Sequence, residues 1–248
     1  MKMQNMFYRF KSIIILFSIT IIFSCNDEKT FTINDELIKA ALIYEEDFND
    51  NLEDWKVEQM DGGRAVINKG KLEITDVSGC TIWLMKEFEG PIMIEYDVFV
   101  IDEGGPQDRV SDLNCFWMAK DPKNMNDLFA RSDERGGKFS NYDSLRLYYM
   151  GVGGHFNTKT RFRRYVGNGE RPLLPEHDLS EQQYLLTANQ PYHIKIISYN
   201  GHIQYYRNDQ LITDFYDKNP YVSGHFGFRT VNNHMTVDNF KVYKLISE

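Results

Sequence analysis

The sequence predicts an all-β fold in which two antiparallel sheets pack face to face as a sandwich. Segments rich in β-branched and aromatic residues recur along the chain and are separated by Gly, Pro, Asn and Asp. Several of them alternate apolar and polar side chains, the pattern of a sheet with one buried face. The 17 Phe and 15 Tyr supply enough bulk for a core between two such sheets. A helical pattern is confined to residues 124–130.

The chain opens on Lys2, Arg9 and Lys11, then an apolar run over residues 12–23 that ends at Ser24-Cys25. A dozen apolar residues fall short of the ~20 that span a bilayer, so the run reads as an export signal. Ile22-Phe23-Ser24-Cys25 resembles a bacterial lipobox, which implies that Cys25 carries a lipid. Asn26-Asp27-Glu28 is similar to the surface-export signal of Bacteroidota lipoproteins. Residues 1–24 are therefore expected as a signal peptide, 25–43 as a tether and 44–248 as one domain, held at the outer membrane on the cell surface or, failing that, on its periplasmic face.

The chain carries 28 Lys+Arg against 36 Asp+Glu, a net charge of -8, and the signal contains none of the acids. An acidic body repels phosphate backbones, so nucleic acid is not an expected partner. Cys80 and Cys115 lie within apolar strand-like runs and are expected as buried free thiols.

Within the domain the first strands fall at 71–74, 81–88 and 92–101, each bounded by Gly, Asp or Pro. Strands at 113–119, 145–150 and 160–165 follow, with long loops at 102–112 and 121–143 between them. Loops of that length in a compact domain are often functional. Strands at 192–199 and 202–207 flank Asn200-Gly201, the tightest hairpin signal in the chain, because a primed turn needs positive φ at both central residues. Strands at 224–229 and 235–245 close the domain. The Gly-Gly pairs open no helix, so they read as turns and not as phosphate loops.

Asp47-Phe48, Leu52 and Trp55 near the start, with Gly224-His225-Phe226-Gly227-Phe228-Arg229 and Val237-Asp238-Asn239-Phe240-Lys241-Val242 near the end, resemble the first and last strands of concanavalin-A-like jelly rolls. The resemblance implies that these strands are neighbours. Ser111–Ala119, Tyr148–Gly154, Thr160–Tyr165 and Phe228-Arg229-Thr230 resemble an uncharacterised Bacteroidota family of that lectin/glucanase superfamily, found beside polysaccharide-degradation genes. The family implies a glycan setting and assigns no catalytic residue.

Residues 145–165, LRLYYMGVGGHFNTKTRFRRY, gather tyrosines, glycines, one histidine and four arginines. Aromatic faces stack on sugar rings, guanidinium forks take carboxylates, and glycine admits a ligand close to the backbone. On a strand, Arg161, Arg163 and Tyr165 share one face while Phe162 and Arg164 share the other. An acidic, uronate-containing polysaccharide or oligosaccharide is the expected ligand. A β-elimination can be written here: Arg163 or Arg161 neutralises the carboxylate, His155 takes the proton, and Tyr149, Tyr148 or Tyr165 protonates the leaving oxygen. Asn114, Arg229 and His234 are further candidates for substrate contact.

Hydrolysis ranks below elimination. Glu95 and Asp97 are similar to the start of the Glu-x-Asp-x-x-Glu strand of laminarinase-like jelly rolls, but the third acidic position is Val100. The alternative to an enzyme is a glycan-binding lipoprotein that uses the same arginines and tyrosines without chemistry. No cofactor is expected, and no zinc spacing is present. Calcium, bound by Asp47 and Asp238 where the terminal strands meet, is the one cation the pattern would suit, in a structural role.

Overall fold

The computed structural model describes residues 28–33 and 35–247. Cys25 and the expected signal peptide lie outside the described residues. The strands are β1 (Glu28–Ile33), β2 (Glu36–Glu46), β3 (Trp55–Gln59), β4 (Arg64–Ile67), β5 (Leu72–Asp76), β6 (Cys80–Leu84), β7 (Phe88–Glu89), β8 (Ile92–Val100), β9 (Leu113–Lys120), β10 (Arg146–Gly153), β11 (Lys159–Val166), β12 (Asp178–Leu179), β13 (Pro191–Tyr199), β14 (His202–Arg207), β15 (Gln210–Tyr216), β16 (Ser223–Thr230) and β17 (Asn233–Ser247).

They form two antiparallel sheets. Sheet A runs β1-β2-β17-β8-β13-β14-β15, with β5 on β17 and β4 on β5; sheet B runs β12-β11-β10-β9-β16-β6-β3, with β7 on β16. This is the jelly-roll sandwich that the strand pattern predicts. The terminal strands are neighbours as expected, since Phe240 of β17 pairs with Glu46 of β2. Asn200 and Gly201 both take positive φ and join β13 to β14.

The core lies between the sheets, where side chains alternate inward from both. Trp55, Tyr96, Phe226, Phe228 and Phe240 form an aromatic knot, with Trp55 stacked on Phe228 at 5.3 Å and Tyr96 edge-on to it at 5.1 Å. Such pairs add about 0.5–1.5 kcal/mol each beyond their burial. Trp117 of sheet B donates its indole N–H to Ser198 of sheet A at 3.1 Å, so this polar group is satisfied inside the sandwich. Cys80 and Cys115 are free and buried, and burial pushes the Cys115 thiol up to about 12.

Each sheet also buries part of its outer face. On sheet A, Ile33, Ile38 and Ala40 of the N-terminal hairpin cluster with Met93, Ile197, Tyr199 and Tyr243. The tether expected over residues 25–43 is therefore corrected from Glu28 onward: β1 and β2 belong to the sheet, and β2 pairs along β17. Only Ile38 and Ala40 are fully buried in β2, which leaves a weak alternation that reads as polar chain.

On sheet B the segment 121–143 lies over Trp83, Phe116, Tyr149 and Tyr165. The helix expected at 124–130 is instead a 3-10 turn at Leu128–Arg131 followed by a single α-turn at Ser132–Arg135. Asp127 caps the first by accepting from the Phe129 N–H, and Gly136 ends the second in the left-handed region. The segment is pinned by Glu58 of β3, whose buried carboxylate accepts from Trp83 Nε1 (3.1 Å), Ser132 Oγ (2.7 Å), Tyr142 Oη (2.6 Å) and the Arg135 guanidinium (2.6 Å).

Candidate functional site

Strand register lays a polar row across the outer face of sheet B. Asp178 pairs with Arg161, Arg161 with Gly151, Gly151 with Asn114, and Asn114 with Arg229. Directly paired residues of antiparallel strands share a face. The next row holds Arg163, Tyr149 and Phe116. Gly151 lets Tyr149 lean across the first row, because a Cβ there would lie 2.2 Å from the Tyr149 hydroxyl.

Where the pinned segment stops covering the sheet, a cavity of about 490 Å³ opens. Its walls include Tyr149, Arg161, Arg163, Arg171, Phe139 and Asp112, with His155 and Lys159 at the rim. Its four Lys and Arg residues are Lys159, Arg161 and Arg163 of one strand and Arg171 beyond it, and Asp112 is the one acid among the lining residues.

The basic groups are not equivalent. Arg161 donates Nε to Asp178 at 2.8 Å and Nη2 to the same carboxylate at 3.4 Å, while Nη1 meets His155 Nε2 at 2.7 Å. All three of its nitrogens thus have a partner, and the Arg161 bonds hold the Asp178 carboxyl below its ordinary range. Arg163 donates Nη1 to the carbonyl of Arg171 and forms no ion pair with a carboxylate among the described residues. Burial, with Arg161 and Arg171 nearby, moves the Arg163 guanidinium below its ordinary value. That is the electrostatic condition of a cation lacking its counter-ion.

His155 sits on a left-handed turn. Gly153, His155, Phe156 and Asn157 all have φ between 52 and 68°. A left-handed non-glycine residue costs of order 1–3 kcal/mol, so the turn persists because its surroundings hold it. Asn157 pairs both ways with Leu186, at 2.9 Å each, and Thr158 Oγ1 donates to the His155 carbonyl at 2.8 Å. Among the described residues no carboxylate orients the His155 ring. A guanidinium only donates, so the Nε2 lone pair that would serve as a base accepts from Arg161 instead.

Of the residues expected in the site, the structure brings together His155, Tyr149, Arg161 and Arg163. Asn114 lies beside them in the floor row but is buried, with Nδ2 3.4 Å from Asp112. Tyr165 shares their face but is fully buried beneath the covering segment, and burial raises its phenol to about 12. Arg229 is also buried; it stacks under Phe139 at 5.1 Å and donates to Thr81 and Gly137.

Tyr148 and His234 are placed elsewhere. Tyr148 alternates to the inner face of β10, where its hydroxyl donates to Asp217 at 2.7 Å and accepts from the Tyr221 N–H. His234 on β17 is held at 2.8 Å by both Asp108 and Glu73. Glu95 and Asp97 face outward on sheet A, on the other sheet from the cavity, and Val100 is buried in the core. Asp47 accepts from Asn49 and Asp238 pairs with Lys71, and no cluster suited to a metal ion forms among the described residues.

Sequence reading missed Arg171, Phe139 and Phe156, because all three lie in irregular segments without periodicity. It also missed Asp178, which neutralises Arg161 from a two-residue strand too short to leave a pattern.

Residues 74–240 match the family described as a domain of unknown function (DUF6250). The chain belongs to this family. Among solved structures, this DUF6250 protein is similar to a protein of unknown function with a galectin-like fold from Bacillus subtilis, at a TM-score of 0.66 and 18% identity, over 89% of this chain and 100% of the other. It is similar to the carbohydrate-binding module CBM66 from Bacillus subtilis, at a TM-score of 0.52 and 12% identity over 77% and 96% of the two chains. It is also similar to an endo-beta-1,3-glucanase from Pyrococcus furiosus, at 0.54 and 13% over 88% and 99%. These likenesses show that this chain has the same sandwich fold as those structures. A fructan beta-fructosidase of Streptococcus mutans is 30% identical over 117 residues, which span 43% of this chain and only 8% of that enzyme.

Proposed function

We propose that this protein is a glycan-binding module that takes an acidic sugar into the cavity on sheet B and performs no chemistry on it. The observation that carries the reading is Arg163, a half-buried guanidinium in a sugar-sized cavity, flanked by Arg161 and Arg171 and without a carboxylate ion pair among the described residues. A uronate carboxylate would supply the missing counter-ion in bidentate geometry, with Tyr149 and Phe139 giving apolar contact to the ring. The likeness to a carbohydrate-binding module and to a galectin-like fold supports a sugar ligand.

Binding is favoured over catalysis on chemical grounds. Elimination needs a free base, yet Nε2 of His155 accepts from Arg161. Burial places the Tyr149 phenol well above its ordinary range, and Tyr148 is on the wrong face. Hydrolysis needs two carboxyl groups facing the cleft, and Asp112 lines it alone among the described residues. Attachment to the outer membrane through Cys25 is part of the same proposal and rests on the sequence of residues 12–28.

The test is calorimetric titration of wild type and Arg163→Ala with glucuronate and galacturonate and with their neutral parents, glucose and galactose. The wild type should bind an acid and not its neutral parent, and the substitution should cost about 10- to 100-fold, the worth of a charge-assisted pair. Equal binding of neutral sugars, or an unchanged Arg163→Ala affinity, would remove the acidic reading. Absorbance of an unsaturated uronate, developing with acidic polysaccharide, would restore the enzyme.

A further inference from the structure

We infer that Phe156 is a sugar-stacking platform outside the cavity, so that the ligand is an oligosaccharide spanning at least two rings and not a single uronate. This rests on the reading of the cavity as an acidic-sugar site. Phe156 is 77% exposed, the most exposed large apolar side chain among the described residues. An aromatic ring so placed costs solvation, and here it also occupies a left-handed backbone position, φ 60°. Nothing in the packing of the sandwich calls for it.

The ring is built in, not left over. Its neighbours Gly154 and His155 line the cavity, so it stands at the rim. The Arg109 guanidinium lies over one of its faces at 5.0 Å. That arginine is fixed at three points: Nε donates to the Asn232 carbonyl at 2.7 Å, and Nη2 to the Val231 carbonyl at 2.6 Å and to Asp112 at 2.8 Å. Asp112 and Val231 both line the cavity. The cavity wall, Arg109 and Phe156 therefore form one connected shelf, and the Asn157–Leu186 pairing fixes its far end. One face of the ring is backed by a cation and the other is left to solvent. A pyranose joined to the residue in the cavity would present its axial C–H face to that free side, the contact that an aromatic ring favours.

The experiment compares D-galacturonate and D-glucuronate with tri-galacturonate and tri-glucuronate by calorimetric titration of wild type, Phe156→Ala, Phe156→Trp and Arg163→Ala. The expected result is a trisaccharide bound about tenfold more tightly than its monosaccharide, with Phe156→Ala erasing that advantage and leaving the monosaccharide unchanged. Phe156→Trp should keep the advantage and show quenching of the added indole by trisaccharide alone. Because the ring is exposed, neither substitution disturbs the core. Trisaccharide binding unchanged in Phe156→Ala, while Arg163→Ala loses both ligands, overturns the platform and leaves the cavity reading standing. No binding of any of the four sugars to wild type overturns both.

Discussion

Glu58 is the residue on which the shape of the site depends. Its carboxylate, 3% exposed, receives donors from Trp83, Ser132, Arg135 and Tyr142, and three of these belong to the segment that covers sheet B. Replacing it by glutamine would keep the volume and leave the buried Arg135 guanidinium without its counter-charge. Removing one partner of a buried ion pair costs about 3 kcal/mol or more. Glu58→Gln should lower the urea midpoint accordingly and speed amide exchange across residues 128–142 ahead of the rest of the sheet. Uniform exchange in the variant would show that the segment is held by packing alone. At this scale the sequence is uneven as a guide. Arg161, Arg163, Tyr149 and His155 were legible because they crowd one strand pair, whereas the bonds of Glu58 reach 25 to 84 residues along the chain and leave no local trace.

Among elements, the N-terminal hairpin is joined to sheet A by charge as well as by its apolar cluster. Lys29 of β1 donates to Glu95 of β8, which also approaches His193 of β13 at 4.0 Å. His193 also meets Asp97 at 2.8 Å, and Asp97 accepts from Asn239. The Glu95 carboxylate and then the hydrogen-bonded carboxylate of Asp97 hold the His193 imidazole above its ordinary value of 6.5. A raised folded value means that stabilisation is complete below about 6.5 and is lost as pH rises through the folded value. The thermal midpoint of wild type should therefore exceed that of His193→Gln at pH 6, and the gap should narrow by pH 9. The group is half exposed, so the gap is small; a gap that widens with pH would refute the assignment. Inner strands such as β8, β9 and β13 were readable because burial on one or both faces fills them with aliphatic and aromatic residues. The strands β3, β4 and β15 lie at or near sheet edges, where both faces are partly wet and the contrast fades.

The molecule as a whole opposes its own site in charge. A body of net charge -8 presents a small basic cavity. A short acidic sugar feels mainly the cavity, so its affinity should fall as salt screens Arg163. A long polyanion must also approach the acidic surround, and screening relieves that repulsion. Raising the salt from low to physiological should therefore weaken tri-galacturonate binding more than binding of long polygalacturonate. The reverse order would mean that the basic surface extends well beyond the cavity. The sandwich itself was legible from periodicity and from the resemblance of the terminal segments. The cavity was not, because its walls join a strand pair, a left-handed turn and an irregular cover that meet only in three dimensions.

Phe139 stands in that wall on a segment anchored from below by the carboxylate of β3. A boundary set before any sugar arrives cannot recede to accommodate one. If the cavity takes an acidic sugar, selection at this face would be by exclusion: a ring with an extra substituent towards Phe139 would be refused, however well its acid group suited Arg163.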